Sequence, residues 1–322
     1  MASSSLRARL ARTLTALVAT ATVVATPALI TTPQATAAGT TAKSLSNGCA
    51  VSTRGIPACG VLMGGAFGAN DDPAAWEKTL GGELGVRRTF FSSGQVKGAV
   101  NIAKADVAKG RVPWMSFKAP YGWADMVAGR GDAWAKDLAT QMASVPGPVW
   151  VAVHHEPEDD GGDILQWKKM QERLGPILRN NAPNLGFSVI VMGYHQFYGA
   201  AKYSMANMWP STKVDIAGFD IYNSYGKNGS TKHTDFTGYF SKIKSWSTTS
   251  GVPWGLAETG ISHGGAVDRP TWFQTTYEAI GAYGGKAMSY FNTGLNSITD
   301  WRLNTTLKRD RYTATFKNAP SL

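Results

Sequence analysis

Residues 149–192, VWVAVHHEPEDDGGDILQWKKMQERLGPILRNNAPNLGFSVIVM, contain a short apolar run, an amphipathic stretch and a second apolar run. The first run, Val149 to His154, is rich in β-branched residues and has strand length. The middle stretch, Asp163 to Asn180, opens on a capping aspartate and brings Ile164, Trp167, Met170, Leu174 and Leu178 round at helical spacing. The last run, Phe187 to Met192, is again β-branched. This strand–helix–strand order reads as one βαβ unit, because parallel strands need a crossover of about a dozen residues or more.

The same alternation continues on both sides. Strands are predicted over Val61–Ala66, Val86–Phe91, Val112–Phe117, Val149–His154, Phe187–Met192, Asp215–Ile221, Pro253–Glu258 and Lys286–Phe291, with starts 25 to 38 residues apart. Helix signals lie between them: Asp72 before Pro73, Asp132 to Ser144, Asp163 to Asn180, Asp235 to Ser250 and Arg269 to Tyr283. Eight such units predict an α/β fold, a single-domain (β/α)8 TIM barrel. The glycines Gly64, Gly65 and Gly68 after the first strand lack dinucleotide-binding spacing, which disfavours a doubly wound sheet.

Outside the barrel pattern, residues 1–37 read as a signal peptide. Arg7, Arg9 and Arg12 precede an apolar run from Leu14 to Ile30, and Ala35-Thr36-Ala37 offers a cleavage site. The expectation is a secreted, extracellular protein. Residues 38–58 then form an N-terminal extension, and 59–322 the barrel domain. Cys49 and Cys59 are the only cysteines and, in an oxidising compartment, are expected to form a disulfide. With 43% hydrophobic and 17% charged residues among 322, the chain is neither disordered nor collagen-like. The net charge is +10, of which three positive charges lie in the leader. The remaining excess forms no dense basic run, so no nucleic-acid partner is expected. No later apolar run reaches the roughly 20 residues of a membrane span. No linker or second module is visible, which suggests a monomer.

In a barrel of this kind chemistry belongs at the carboxyl ends of the strands. There the fourth strand ends in WVAVHHEPEDD with Glu156, and the seventh in VPWGLAETG with Glu258. Two carboxyls facing one cleft suit glycosidic cleavage, in which one protonates the leaving oxygen and the other attacks or activates water. All five histidines (His154, His155, His195, His233 and His263) also follow predicted strands.

His155-Glu156, the segment DIAGFDIYN carrying Tyr222, Glu258 in LAETG, and the region from Phe291 to Asp300-Trp301-Arg302 together resemble glycoside hydrolase family 26. That family of β-mannanases, lichenases and β-1,3-xylanases belongs to a superfamily of retaining barrel enzymes. The resemblance runs from about Cys59 to Lys317. It implies that Glu156 is the general acid/base, that Glu258 is the nucleophile hydrogen-bonded by Tyr222, and that His155 lies beside the cleaved bond. A retaining enzyme then needs its carboxyls about 5.5 Å apart. The polysaccharide substrate would stack on rings, for which Trp123, Tyr225 and Trp301 are the candidates. The family's usual aromatic segment after the acid/base is replaced here by Pro157, Glu158, Asp159 and Asp160. Lys118 in SFKAP, with Arg87 and Arg88, offers cations that would face an acidic sugar. The reading is thus a secreted retaining β-glycanase needing no cofactor or metal, since His154 and His155 point to opposite faces of a strand and no HExxH spacing is present. The alternatives are a carbohydrate-binding protein on a barrel scaffold and a glycosidase acting on a cell-wall glycan.

Overall fold

The computed structural model describes residues 43–322, so the predicted leader lies outside the described residues. Eight strands, β1 (Leu62–Phe67), β2 (Val86–Phe91), β3 (Val112–Phe117), β4 (Val149–Val153), β5 (Leu185–Met192), β6 (Ile216–Asn223), β7 (Trp254–Ile261) and β8 (Ala287–Asn292), pair in chain order and close β8 onto β1, all parallel. Around them run α1 (Ala74–Leu80), α2 (Val96–Ala108), α3 (Trp123–Val127), α4 (Asp132–Met142), α5 (Ile164–Asn181), α6 (Gly193–Phe197), α7 (Met205–Met208), α8 (Phe236–Ser250), α9 (His263–Asp268), α10 (Trp272–Ala282) and α11 (Thr306–Phe316). This is the expected (β/α)8 barrel.

The predicted caps act as read. Asp163 accepts from Leu165 N to start α5, and Asp235 accepts from Gly238 N to start α8. Six helices among the described residues escaped the sequence reading: the short α3, α6, α7 and α9, of four to six residues, and two longer ones. The α2 segment, VKGAVNIAKADVA, carries a glycine and β-branched residues, and α11, TLKRDRYTATF, is mostly polar. Packing against the barrel, not propensity, fixes both.

Strand alternation divides the core in two. Met115, Phe117, Val149, Val151 and Val153 face the helices, whereas Trp114, Trp150, Ala152, Ile190 and Ala257 fill the barrel. The glycines of β1 serve close strand contact and not a phosphate loop: a Cβ on Gly64 would sit 1.9 Å from Val86 O.

The extension before β1 closes the amino-terminal mouth of the barrel. Leu45, Cys49 and Val51 pack with Leu62, Val112 and Trp150, and the Trp150 indole donates to Arg54 O at 2.8 Å. Cys49 and Cys59 are joined by a disulfide. Constraining a loop of this size stabilises by roughly 3 kcal/mol on chain-entropy estimates. Reduction, or Cys49→Ser, should therefore lower the thermal midpoint by roughly 5 °C. An unchanged melting curve with and without reductant would show that the extension holds without its crosslink.

Candidate active site

The carboxyl end of the barrel gathers a cluster of carboxyls, and in the barrel interior the Trp114 indole N–H donates to Ser188 Oγ at 2.9 Å. Glu258 arrives there through an irregularity. Phe219 pairs with Leu256, but Asp220 pairs with Glu258, so Ala257 is an extra residue in β7. Leu256 faces the helices and Ala257 the interior, and simple alternation would turn Glu258 outward. The bulge turns it back in, since a one-residue shift exchanges the two faces of a strand. The strand then continues to Ile261, three residues beyond its expected end.

Glu258 is held on both oxygens. The Tyr222 hydroxyl donates to Oε2 at 2.7 Å, and the Arg88 guanidinium donates to Oε1 at 3.3 Å. His155 Nε2 lies 3.9 Å from the same Oε1. Burial pushes the Glu258 carboxyl above the ordinary range, while Arg88 and Tyr222 pull it back. His155 is held neutral, well below the usual imidazole range, by burial and by nearby Arg88. Arg88 also lies over the Phe90 ring at 4.4 Å.

Glu156 follows a strained turn. His154 and Glu156 both occupy left-handed backbone, at φ 56° and 49°. Each such residue costs about 1–2 kcal/mol without glycine's freedom. The turn is pinned to both neighbouring strands, with His154 N donating to Phe117 O at 2.7 Å and Glu156 N to Ile190 O at 3.1 Å. Glu156 makes no side-chain capping bond to the short helical turn that follows, so it is not occupied as a cap. Burial first, then the charges of Glu258 and Glu158, push its carboxyl up to about 8. Glu158 is itself buried and pushed to about 7; it accepts from Met192 N at 3.2 Å and from the Gln196 amide, tying the loop to β5 and α6.

A third carboxyl, Asp220, completes the site and was missed in the sequence. One oxygen from each of Glu156, Asp220 and Glu258 lies within 4.8 Å of the others. Asp220 is 5% exposed, and neither of its oxygens receives a hydrogen bond from an N–H or hydroxyl donor among the described residues. Burial, then the charges of Glu258 and Glu156, push it well above the ordinary carboxyl range. Its spacing of two from Tyr222 on one strand face was the available signal. The same three oxygens suit a cation by number, but Glu258 already engages a guanidinium and a phenol.

The other singled-out residues lie further out. Trp301 is buried, stacks on Tyr222 at 4.8 Å, and its carbonyl accepts from Tyr290 Oη at 2.7 Å and Lys308 Nζ at 2.9 Å. It buttresses Tyr222. Trp123 is also buried and meets His154 edge-on at 5.1 Å. Tyr225 stacks on His233 at 4.2 Å, and His233 in turn reaches Asp268 at 2.7 Å. Lys118 lies 3.6 Å from Asp160, which also meets His154. Arg87 faces the helices, pairing with Asp106 at 2.9 Å and donating to Asn70 O and Asp71 O. Thus Glu156, Glu258, His155 and Tyr222 converge, with Trp301 behind Tyr222, while Trp123 and Tyr225 do not touch the carboxyl cluster.

A barrel with two glutamates on β7 and beyond β4, one locked by Arg and Tyr and one kept protonated, has the design of a glycosidase. The sequence profile of the cellulase family, glycosyl hydrolase family 5, matches residues 113–304, and the chain belongs to that family of glycoside hydrolases. The neighbouring structures fall in the wider superfamily that families 5 and 26 share. The catalytic domain of an endo-β-1,4-mannanase of family 26 from Bacillus sp. JAMB-750 is 13% identical with a TM-score of 0.61, covering 80% of this chain and 86% of its own. A family 26 β-mannanase from Bacteroides ovatus is 13% identical, TM-score 0.58, covering 81% and 89%. Cel5A of Thermotoga maritima, solved with mannotriose, is 12% identical, TM-score 0.58, covering 80% and 97%. No curated protein sequence shows significant similarity to the chain. Among the described residues no helix is long and apolar enough to cross a membrane.

Proposed function

We propose that the protein is a secreted, monomeric, retaining endo-β-glycanase whose first substrate class is β-mannan. The observation that carries this reading is the approach of the Glu156 and Glu258 oxygens to within 4.8 Å. That separation suits a covalent double displacement and is too short for the 6.5–9.5 Å that admits an inverting water. Glu156, protonated at neutral pH, gives its proton to the glycosidic oxygen as Glu258 attacks the anomeric carbon. The resulting glycosyl ester is hydrolysed when Glu156, now ionised, takes a proton from water. Arg88 and Tyr222 favour the ionised form of Glu258 that this attack needs. Asp220, with both oxygens free of N–H and hydroxyl donors, is placed to accept from sugar hydroxyls.

The mannan preference rests on the family 26 likeness of the His155-Glu156 and Tyr222 motifs and on the mannanases among the fold neighbours. Secretion rests on the leader pattern. The test is reducing-sugar release from β-mannan, mixed-linkage β-glucan, cellulose and β-1,3-xylan, with the anomer of the first product read by proton NMR. Release fastest from mannan with the β-anomer formed first is the expected result. Faster release from another glycan removes the mannan assignment, an α-anomer removes the retaining mechanism, and silence on all four with retained glycan binding favours a binding protein.

A further inference from the structure

Beside the carboxyl cluster, between the β1–α1 and β8–α11 connections, lies a cavity of about 650 Å³. That volume is within the range of small-ligand pockets. Its position is set by the two strands that close the barrel. Ala66 and Phe291 pack with Trp301 against Tyr222, on the side of the carboxyl cluster, and Phe67 and Asn292, the next residue on each strand, line the cavity. The connection after β8 serves both spaces, with Trp301 on one side and Leu295, Arg302 and Leu303 on the other.

The lining is apolar with cations at the rim. Phe67 stacks on Trp76 at 5.6 Å, and Leu295 is 50% exposed although it borders the cavity. Arg302 and Arg309 both line it, and no aspartate or glutamate does among the described residues. The two arginines differ. Arg302 is neutralised by Asp300 through two hydrogen bonds of 2.9 Å. Arg309 donates only to Asn304 O at 3.1 Å and Thr306 Oγ1 at 3.2 Å, and forms no salt bridge among the described residues. A guanidinium has five N–H donors, so Arg309 is oriented by neutral acceptors and keeps uncompensated charge and free donors at the cavity. It also stands in the first turn of α11, whose positive end adds to the field.

We propose that this cavity is a second saccharide site, selective for a sugar that carries a carboxylate, with the carboxylate on Arg309 and an apolar ring face towards Phe67 and Leu295. A neutral sugar leaves the guanidinium without a counter-charge, and an inorganic anion leaves the apolar wall uncovered. The site rests on the glycanase reading only for its use in substrate selection, and its occupancy is measured without turnover.

The test is calorimetric titration of the full-length protein with glucuronic acid, glucose and inorganic phosphate at low salt. Glucuronic acid should bind at least about tenfold tighter than glucose, because the carboxylate adds a charge-assisted bond, and at least about tenfold tighter than phosphate, because only the sugar covers the apolar wall. Arg309→Gln should weaken glucuronic acid about tenfold and leave glucose and aryl-glycoside hydrolysis unchanged. Leu295→Asp, at an exposed position, should remove glucuronic acid binding by placing a like charge opposite it. Equal binding of glucose and glucuronic acid, or undiminished binding in Arg309→Gln, overturns the proposal; phosphate matching glucuronic acid leaves an anion site and overturns the sugar assignment. Glucuronic acid binding that depends on Arg309, in a protein that cleaves no glycan, would keep this site and remove the glycanase reading.

Discussion

Glu258→Ala is expected to abolish hydrolysis of every glycan the wild type cleaves, by on the order of 10⁴-fold or more in kcat, about 5 kcal/mol or more of transition-state stabilisation. The expectation follows from three features. The β7 bulge serves to turn this one carboxylate inward. Arg88 and Tyr222 occupy both its oxygens. Asp220 and Glu156 are near, but burial and neighbouring carboxyl charges push both above the ordinary carboxyl range, and neither receives the guanidinium hydrogen bond that favours an ionised nucleophile. Removing the side chain opens space beside an unpaired Arg88, where a small anion can sit. Azide added to Glu258→Ala should therefore restore part of the activity on an activated aryl glycoside and release a glycosyl azide of inverted configuration. Full activity without azide would remove Glu258 as nucleophile, and an azide product of retained configuration would contradict single attack from the Glu258 side.

The barrel was readable because its signal is repetitive. Each βα unit combines a β-branched run with an amphipathic stretch, and an error in one unit does not disturb the next. Thus α2 and α11, too weakly apolar to be seen, did not alter the predicted architecture. The convergence of Glu156 and Glu258 was readable for the same reason, since strand ends in a barrel point to one face. Local departures were not readable. Nothing in LAETG announces the inserted Ala257 that turns Glu258 inward, and nothing in VHHEP shows that His154 and Glu156 adopt left-handed backbone. Asp220 was hidden inside an apolar strand, where one acidic residue reads as an interruption. Arg88, considered for an acidic sugar, lies on the interior face of β2 and pairs with Glu258, whereas its neighbour Arg87 points to the helices. Side-chain alternation separates them, but which phase faces inward depends on closure of the whole barrel. Aromatic residues misled for a related reason: Trp123 and Trp301 have loop-like flanks in sequence yet are buried under other rings.

The second large effect concerns Glu156 and has a pH signature. As general acid it must be protonated, and its carboxyl is pushed to about 8 by burial and by the charges of Glu258 and Glu158. Activity should accordingly hold through neutral pH and fall as the pH rises past about 8. Glu156→Gln keeps the size and removes the proton. Hydrolysis of the polysaccharide should drop about 10²–10⁴-fold, the usual range for a lost general acid, and the alkaline limb near pH 8 should disappear with it. Aryl glycosides with good leaving groups need little protonation, so their first step should be far less affected, with the glycosyl ester accumulating because no base remains to activate water. Equal losses on both substrate types, or an alkaline limb unchanged in the variant, would exclude the acid role. Stability supplies an independent readout. A carboxyl raised from 4.5 to about 8 on folding holds a proton that the unfolded chain releases. Its stabilisation is complete below about pH 4.5 and is lost as the pH rises towards 8. Glu158, raised to about 7, and Asp220, held well above the ordinary carboxyl range by burial and by the glutamates beside it, act in the same direction. The wild type should therefore melt at progressively lower temperature between pH 5 and pH 8, and Glu156→Gln, which loses no proton on unfolding at that position, should decline less steeply. A variant that is slower on polysaccharide yet gains in relative stability as the pH rises is what a site strained for proton transfer requires, because the burial and the like charges that destabilise the fold are the same ones that keep the acid protonated.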